Sequence, residues 1–222
     1  VKGMIREFEE ELVWSHYGVR ARDVRHLRLG FYKGDIFSDM PELERDVEPI
    51  LNLLREIKPS VITLALDPEG SGPDTHYKVL QAIAESLRIF KKESDTSKIK
   101  IWGYRNVWYR FSPEEADIMI PVSLNSMATL RDTFMTCYNS QKGASFPSYL
   151  LDGPFCDLVQ KTWVEQHAIM ELVLGRDFWY QHQHPRIRAT HGLVFLKELS
   201  VDQLINQAQK LSLSIDGDVF DL

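Results

Sequence analysis

The sequence has few of the features that mark secreted, membrane-spanning or disulfide-stabilised proteins. Its 222 residues include only two cysteines, Cys137 and Cys156, which are too few for a disulfide framework and predict a reducing, cytoplasmic setting. Neither cysteine has a neighbouring histidine or motif that supports nucleophilic catalysis, so both are predicted to be buried apolar residues. No apolar run approaches the roughly 18–20 residues of a membrane span, and no signal peptide is visible.

Basic and phosphate-binding features are also scarce. The formal net charge is −6, and no basic stretch is long enough to indicate a nucleic-acid partner. There is no Walker loop and no glycine-rich dinucleotide turn, and Gly70 and Gly72 only punctuate a loop. The chain begins at Val1 inside a helical pattern, which predicts a segment of a longer polypeptide.

The most informative stretch covers residues 58–84. The apolar run 61–66 predicts a buried strand, residues 67–73 form a loop rich in Gly and Pro, and a helix is predicted over 75–91. Ligands bind just outside the carboxyl ends of strands in an open α/β sheet. This loop, with its carboxylates and the nearby His76, is therefore the predicted site.

Strands alternate with helices along most of the chain. Helices are predicted over residues 5–17, 42–57, 75–91, 124–138, 155–174 and 201–211, and strands over 24–31, 61–66, 99–104, 118–122 and 193–199. Pro49 predicts a kink or a later start in the second helix. The alternation predicts an α/β fold, a Rossmann-like, mostly parallel sheet with helices on both faces. Because the chain opens on a helix, we expect the sheet to lack its first strand or strands. We place the α/β domain at residues 1–179 and a C-terminal extension at 180–222.

His76 is the sharpest candidate for chemistry. A neutral imidazole is a common metal ligand, and Asp74 could orient it or the substrate. Alternatively, Asp74 only caps the helix that begins at Thr75. One histidine does not make a zinc site, because catalytic zinc takes three protein ligands.

Two arginines are further candidates. Arg105 follows a predicted strand and could bind a carboxylate, a phosphate or a developing oxyanion, or could stack on Trp102 or Trp108 at the surface. Arg6 lies one helical turn from Glu9, and the two could form a simple intrahelical ion pair.

The C-terminal histidines form the last cluster. His182, His184 and His191 do not follow a usual metal-ligand spacing, and the pattern favours a solvated aromatic and histidine-rich tail.

Several short segments, in this order and spacing, resemble the PIG-L/LmbE-like de-N-acetylase family. The segments are residues 5–11, 24–32, 57–62, Asp67-Pro68 with Thr75-His76, 102–108, 120–123 and 139–142. They are most similar to the family variant that is fused behind a glucosamine-6-phosphate deaminase-like domain. The resemblance covers about residues 5–179.

The resemblance implies a zinc site and a set of roles. In that family, zinc is held by a His and an Asp of an N-terminal His-Pro-Asp-Asp motif and by a later His, which His76 matches. Asp74 falls beside the metal ligand as a supporting catalytic group. Arg6 matches an arginine that contacts the sugar, and Arg105 matches a substrate-binding and catalytic arginine near the site.

The chain departs from the family pattern in two places. It contains no His-Pro-Asp-Asp motif and no Asp-Asp pair, and Pro73 occupies the place of a second histidine. In the family, that histidine stabilises the tetrahedral intermediate. We therefore expect the remaining zinc ligands and the general base to come from sequence upstream of Val1.

Together these features predict part of a zinc-dependent de-N-acetylase-like domain that acts on an N-acetylglucosamine-type sugar or sugar phosphate. The parent would be a glucosamine-6-phosphate deaminase-like protein. The alternative is a catalytically degenerate module that binds a sugar phosphate or serves assembly, with any activity supplied by another domain. We expect a homo-oligomer or a deaminase-like partner domain. We expect neither a nucleic-acid partner nor a membrane span.

Overall fold

The computed structural model of the chain describes residues 1–31, 39–67, 74–105, 107, 109–144 and 153–215, and of residue 74 it describes only the backbone. The described residues form eight α-helices and four strands. The helices are α1 (Lys2–His16), α2 (Glu48–Ile57), α3 (Asp74–Glu93), α4 (Leu124–Cys137), α5 (Phe155–Leu174), α6 (Arg176–Tyr180), α7 (Pro185–Arg188) and α8 (Val201–Ile215). The strands are β1 (Val61–Ala65), β2 (Lys100–Tyr104), β3 (Ile118–Ser123) and β4 (Thr190–Ser200). The predicted α/β class is confirmed.

The chain divides into two compact units, each made of two separate segments. The first unit contains Val1–His26 and Met119–Phe195, and the second contains Leu27–Ile118 and Leu196–Leu222. The strand β4 contributes its first half to the first unit and its second half to the second. The predicted boundary after residue 179 stays a prediction.

The four strands form one sheet in the order β1-β2-β4-β3. Strands β1 and β2 are parallel, with Val61 opposite Lys100, whereas β2 and β4 are antiparallel, with Ile101 opposite Leu199. The sheet is therefore mixed, where the sequence predicted a mostly parallel one.

The second unit has a continuous apolar core beneath one face of its strands. Leu64, Ile101 and Leu199 point into this core because side chains alternate between the two faces of a strand. The buried members are Val47, Ile50, Leu51, Leu54, Leu64, Leu80, Ala82, Ala84, Leu87, Phe90, Ile99, Ile101, Leu199, Val201, Leu204 and Ala208. On the opposite face Thr63 and Lys100 are exposed.

Pro49 sits where a helix tolerates it. A π-helical turn over Leu43–Val47 comes first, and α2 begins at Glu48 with Pro49 in its first turn. The missing N–H of proline costs nothing there, because the first-turn N–H groups have no partner within the helix. Of the two outcomes that Pro49 predicted, a kink or a later helix start, the structure has the later start.

The residue that caps the C-terminus of α2 has an unfavourable conformation. Lys58 has φ 47° and ψ 61°, the left-handed region, and its N–H donates to the carbonyl of Leu54. We expect Lys58→Gly to raise the free energy of unfolding by about 0.5–1 kcal/mol, because glycine adopts this cap conformation without steric cost. Urea denaturation of both proteins measures the difference, and a less stable variant would contradict the prediction.

The strand predicted over residues 24–31 is wrong, because the described backbone forms no strand there. Arg28 has φ 51°, which interrupts an extended chain. The N–H of Phe31 donates to Oδ1 of Asp46 at 3.2 Å. The Asp46 side chain thus accepts the hydrogen bond from the Phe31 N–H that a neighbouring strand was expected to accept.

Candidate functional site

The candidate site lies at the carboxyl ends of the parallel strands β1 and β2. Asp67 comes two residues after β1, and Tyr104 is the last residue of β2. His76 is the third residue of α3, the helix that follows the loop from β1. The strand–loop–helix succession thus places these groups where ligands bind in open α/β sheets.

His76 is hydrogen-bonded to Asp67. The distance from His76 Nδ1 to Asp67 Oδ2 is 2.7 Å. The carboxylate side chain is only 5% exposed, whereas the imidazole is 33% exposed. Because an ionised carboxylate only accepts, the bond assigns a proton to Nδ1 and leaves Nε2 as the nitrogen that can bind a ligand. The same arrangement commonly orients histidines that bind metal ions.

Tyr104 adds a phenol beside this pair. Burial, and secondarily the negative charge of Asp67, raises the pKa of Tyr104. The hydroxyl therefore stays protonated at neutral pH and can donate a hydrogen bond.

Gly103 lets the backbone approach closely beside the site. A Cβ at this position would lie 2.9 Å from Cβ of Leu66 and 2.8 Å from its Cδ2. The N–H of Leu66 donates to the carbonyl of Tyr104 at 2.7 Å, which continues the β1–β2 pairing just before Asp67. Any larger residue at 103 would push against the residue that precedes the carboxylate.

The sequence assigned the role of orienting His76 to Asp74, whereas the described contact is with Asp67. The helix α3 begins at Asp74 itself, one residue before the predicted start. The side chain of Asp74 and the loop residues Gly70, Gly72 and Pro73 lie outside the described residues. Both roles considered for Asp74, cap and orienter, stay predictions.

Arg105 follows β2 but its guanidinium already has partners. Nη1 donates to the carbonyl of Arg110 at 3.1 Å, and Nη2 lies 3.3 Å from Oε1 of Glu115. The guanidinium also lies over the ring of Phe111 at 4.2 Å. Trp108, one of the two tryptophans on which Arg105 was predicted to stack, is outside the described residues. Substrate binding by Arg105 stays a prediction.

Arg6 belongs to the first unit, whereas His76 belongs to the second. Its Nη1 lies 3.9 Å from Oε2 of Glu9, and its side chain is half exposed. The ion pair considered from the sequence is therefore present. Contact of Arg6 with a sugar stays a prediction.

The described part of the chain does not complete a metal site. No group of three or more His, Cys, Asp or Glu side chains that could hold an ion occurs among those residues. Within the histidine-rich segment, Nδ1 of His182 accepts from the N–H of His184, and Nδ1 of His184 accepts from the N–H of Arg186. Both cysteines are free and buried, as predicted, and burial raises the pKa of each thiol.

The sequence placed Asp67 in the predicted site loop but did not identify it as the partner of His76, and it did not identify Tyr104 at all. Asp67 is the first residue after the predicted strand 61–66, so its position at a strand end was a usable signal. Tyr104 closes the next strand and carried no comparable signal, because its proximity to Asp67 depends on the parallel register.

Comparison with known proteins gives one informative similarity. The chain is 30% identical over 151 residues to a glucosamine-6-phosphate deaminase-like protein of Bacteroides thetaiotaomicron, a match that covers 66% of this chain and 22% of that protein. The chain thus spans under a quarter of the length of this relative. No family model matches the sequence, and no solved structure matches it.

Among the described residues, no helix is both long enough and apolar enough to cross a bilayer.

Proposed function

We propose that the chain is part of a zinc-dependent de-N-acetylase-like domain that acts on an N-acetylglucosamine-type sugar or sugar phosphate. The observation that carries the proposal is the His76–Asp67 hydrogen bond at the carboxyl end of β1. The glucosamine-6-phosphate deaminase-like relative supports an association with amino sugars. A cytoplasmic location and a deaminase-like partner domain belong to the same proposal.

His76 fits the role of one zinc ligand. Its Nδ1 is held by a buried carboxylate, which fixes the orientation of the ring and leaves Nε2 as the nitrogen that can bind the metal. Bound zinc would lower the pKa of a coordinated water and polarise the acetamide carbonyl.

The rest of the ligand set must come from elsewhere. Three protein ligands are needed, and the described residues offer no such group around His76. We propose that the other ligands and the general base lie outside the described residues. Within the chain, Asp67 would hold His76 in place, and the Tyr104 hydroxyl would donate to a polar group of the bound sugar.

The second candidate is a degenerate module that binds a sugar phosphate or serves assembly. The partners of Arg105 favour it, because Glu115 and Phe111 already occupy the guanidinium. Under this alternative Arg105 would stabilise the segment after β2 and would not bind substrate. The Pro73 substitution in the sequence supports the same alternative.

The 222-residue chain alone should bind well under one zinc ion per molecule. A single histidine supported by a carboxylate provides too few ligands to retain the ion during buffer exchange. Plasma mass spectrometry of the purified chain after zinc loading measures the ratio. Stoichiometric zinc that is lost in His76→Ala would show that the ligand set is complete within the chain and that our assignment is wrong.

The activity is tested on the full-length product of the gene that encodes the chain. We expect one zinc per molecule, release of acetate from N-acetylglucosamine 6-phosphate, and loss of both in His76→Ala. Asp67→Asn should weaken zinc affinity about 10–100-fold, while the matched control His182→Ala should change nothing. Binding of the sugar phosphate without zinc or acetate release would favour the degenerate module.

A further inference from the structure

A buried histidine of the first unit packs against the single buried residue of a short helix. His167 of α5 is 9% exposed and Trp179 of α6 is 5% exposed. Their ring centroids lie 4.6 Å apart at an interplanar angle of 68°, an edge-to-face contact. Trp179 is the only buried residue of α6, so this contact is central to how α6 is held.

Both side chains carry a buried polar atom that has no hydrogen-bond partner among the described residues. These atoms are Nε2 of His167 and Nε1 of Trp179. A neutral imidazole can remain in such surroundings at moderate cost, whereas a charged one without a hydrogen-bonding partner is much more costly to bury. The surroundings therefore favour the neutral form of His167 over the protonated form.

A single glycine links the two helices. Gly175 joins the end of α5 to the start of α6 with φ 80° and ψ 155°, a conformation that other residues rarely adopt. Its N–H donates to the carbonyl of Glu171 at 2.9 Å. The helix α6 has only five residues, too few to be stable without tertiary contacts.

Few charges act on His167. Burial lowers the pKa of this histidine, Glu171 on the same helix raises it, and His191 on β4 lowers it, with a net decrease. The helix α6 presents the uncharged indole of Trp179. Glu171 is itself engaged by Arg176, with Oε1 at 3.3 Å from Nε, which reduces its ability to stabilise an imidazolium.

We propose that protonation of His167 releases α6 from α5, so that the α5–α6 junction is an acid-sensitive latch. With α6 docked, His167 is neutral and its ring packs against the edge of Trp179. With a second proton on the imidazole, the charge gains hydration by separating from the indole, and the chain rotates at Gly175. The latch lies in the first unit and is independent of the function proposed for His76.

The direction of the pH dependence follows from the lowered pKa of His167. In the open form the ring is hydrated and titrates near the ordinary value of about 6.5. The docked form is therefore fully favoured above about pH 6.5 and loses stability as the pH falls below it, until the lower pKa of the docked form is reached.

The test is the solvent-exchange rate of the Trp179 indole hydrogen, measured by nitrogen-15 NMR on the whole chain. The rate is referenced to the exposed Trp14 at the same pH. We expect the ratio to rise about tenfold per pH unit below about pH 6.5. The ratio should stay flat in His167→Gln and in His167→Phe, which keeps an aromatic edge. The control His26→Gln, whose ring lies 3.4 Å from Glu11, should behave like the unmodified chain.

Three results would overturn the latch. The ratio could stay flat in the unmodified chain while the ring signals of His167 show that it takes up a proton. It could rise equally in both His167 variants. Finally, all five indole signals of the chain could change together at one pH, which would indicate global unfolding and not a local release of α6.

Discussion

Asp46→Ala should lower the free energy of unfolding by about 3–5 kcal/mol, the largest effect that we expect from a single substitution. The Asp46 side chain is completely buried. Its Oδ1 accepts from the N–H of Phe31 and its Oδ2 from the N–H of Glu42. The guanidinium of Arg45 donates to Oδ2 through Nε at 3.0 Å and Nη2 at 2.8 Å. Alanine leaves the two backbone N–H groups without their acceptor and removes two hydrogen bonds of Arg45, which keeps its bond to Glu42.

Urea denaturation followed by circular dichroism measures this loss. The matched control is Asp202→Ala in the same unit, because Asp202 pairs with Lys91 while 62% exposed. Exposed ion pairs of this kind contribute under about 1 kcal/mol. If the two alanine variants lost similar amounts, the buried carboxylate would not have the anchoring role assigned to it.

The same residue gives a pH dependence with a defined sign. Burial alone would raise the pKa of Asp46, but hydrogen bonds from Arg45 and from the N–H groups of Glu42 and Phe31 lower it overall. The ionised carboxylate therefore stabilises the fold above the unfolded pKa of about 3.9, and this contribution is lost as the pH falls through the lower folded value. Asp46→Asn should lack this part of the acid dependence.

Glu9→Ala should lower the free energy of unfolding by about 2–3 kcal/mol, since it removes two hydrogen bonds to a buried charged acceptor. Oε1 of Glu9 accepts from the N–H of Ser140 at 2.7 Å, and Oε2 accepts from the Ser140 hydroxyl at 2.6 Å. The side chain is 5% exposed. These bonds fix α1, and with it Arg6, to the turn that follows α4.

Thermal or urea unfolding of three variants separates the possible causes. Glu9→Gln retains a carbonyl acceptor for Ser140 and should lose about half as much as Glu9→Ala. The control is Glu11→Ala, because Glu11 is 41% exposed and lies 3.4 Å from His26, a pair expected to contribute under about 1 kcal/mol. Equal losses at positions 9 and 11 would count against the anchoring role of Glu9.

Long periodic segments could be predicted from the sequence because local spacing alone determines them. The predicted helix 155–174 coincides with α5, and the strand 99–104 begins one residue before β2. The segment 24–31 could not be predicted, since its apolar residues resemble a strand. Its backbone is decided by the left-handed Arg28 and by the distant carboxylate of Asp46.

In the site, too, contacts between residues that are distant in sequence could not be predicted from local patterns. His76 was identifiable because a histidine at a helix start after a buried strand is a local feature. Its partner was assigned to Asp74 by proximity in sequence, whereas the hydrogen bond is to Asp67, nine residues away. Which carboxylate reaches the ring depends on the path of the loop between β1 and α3, and composition does not determine that path.

The core of the second unit has a consequence for how the chain acquires its structure during synthesis. Gln81 of α3 donates to the carbonyl of Ala208 in α8 across 127 residues of sequence, and Leu204 and Ala208 are part of the same core. A ribosome that adds about 5–20 residues per second therefore finishes the whole intervening chain before this core can close. Long-range contacts of this kind slow folding because their loops must be ordered first. Until α8 emerges, the part of α3 that packs against α8 stays available to chaperones and to other nascent chains.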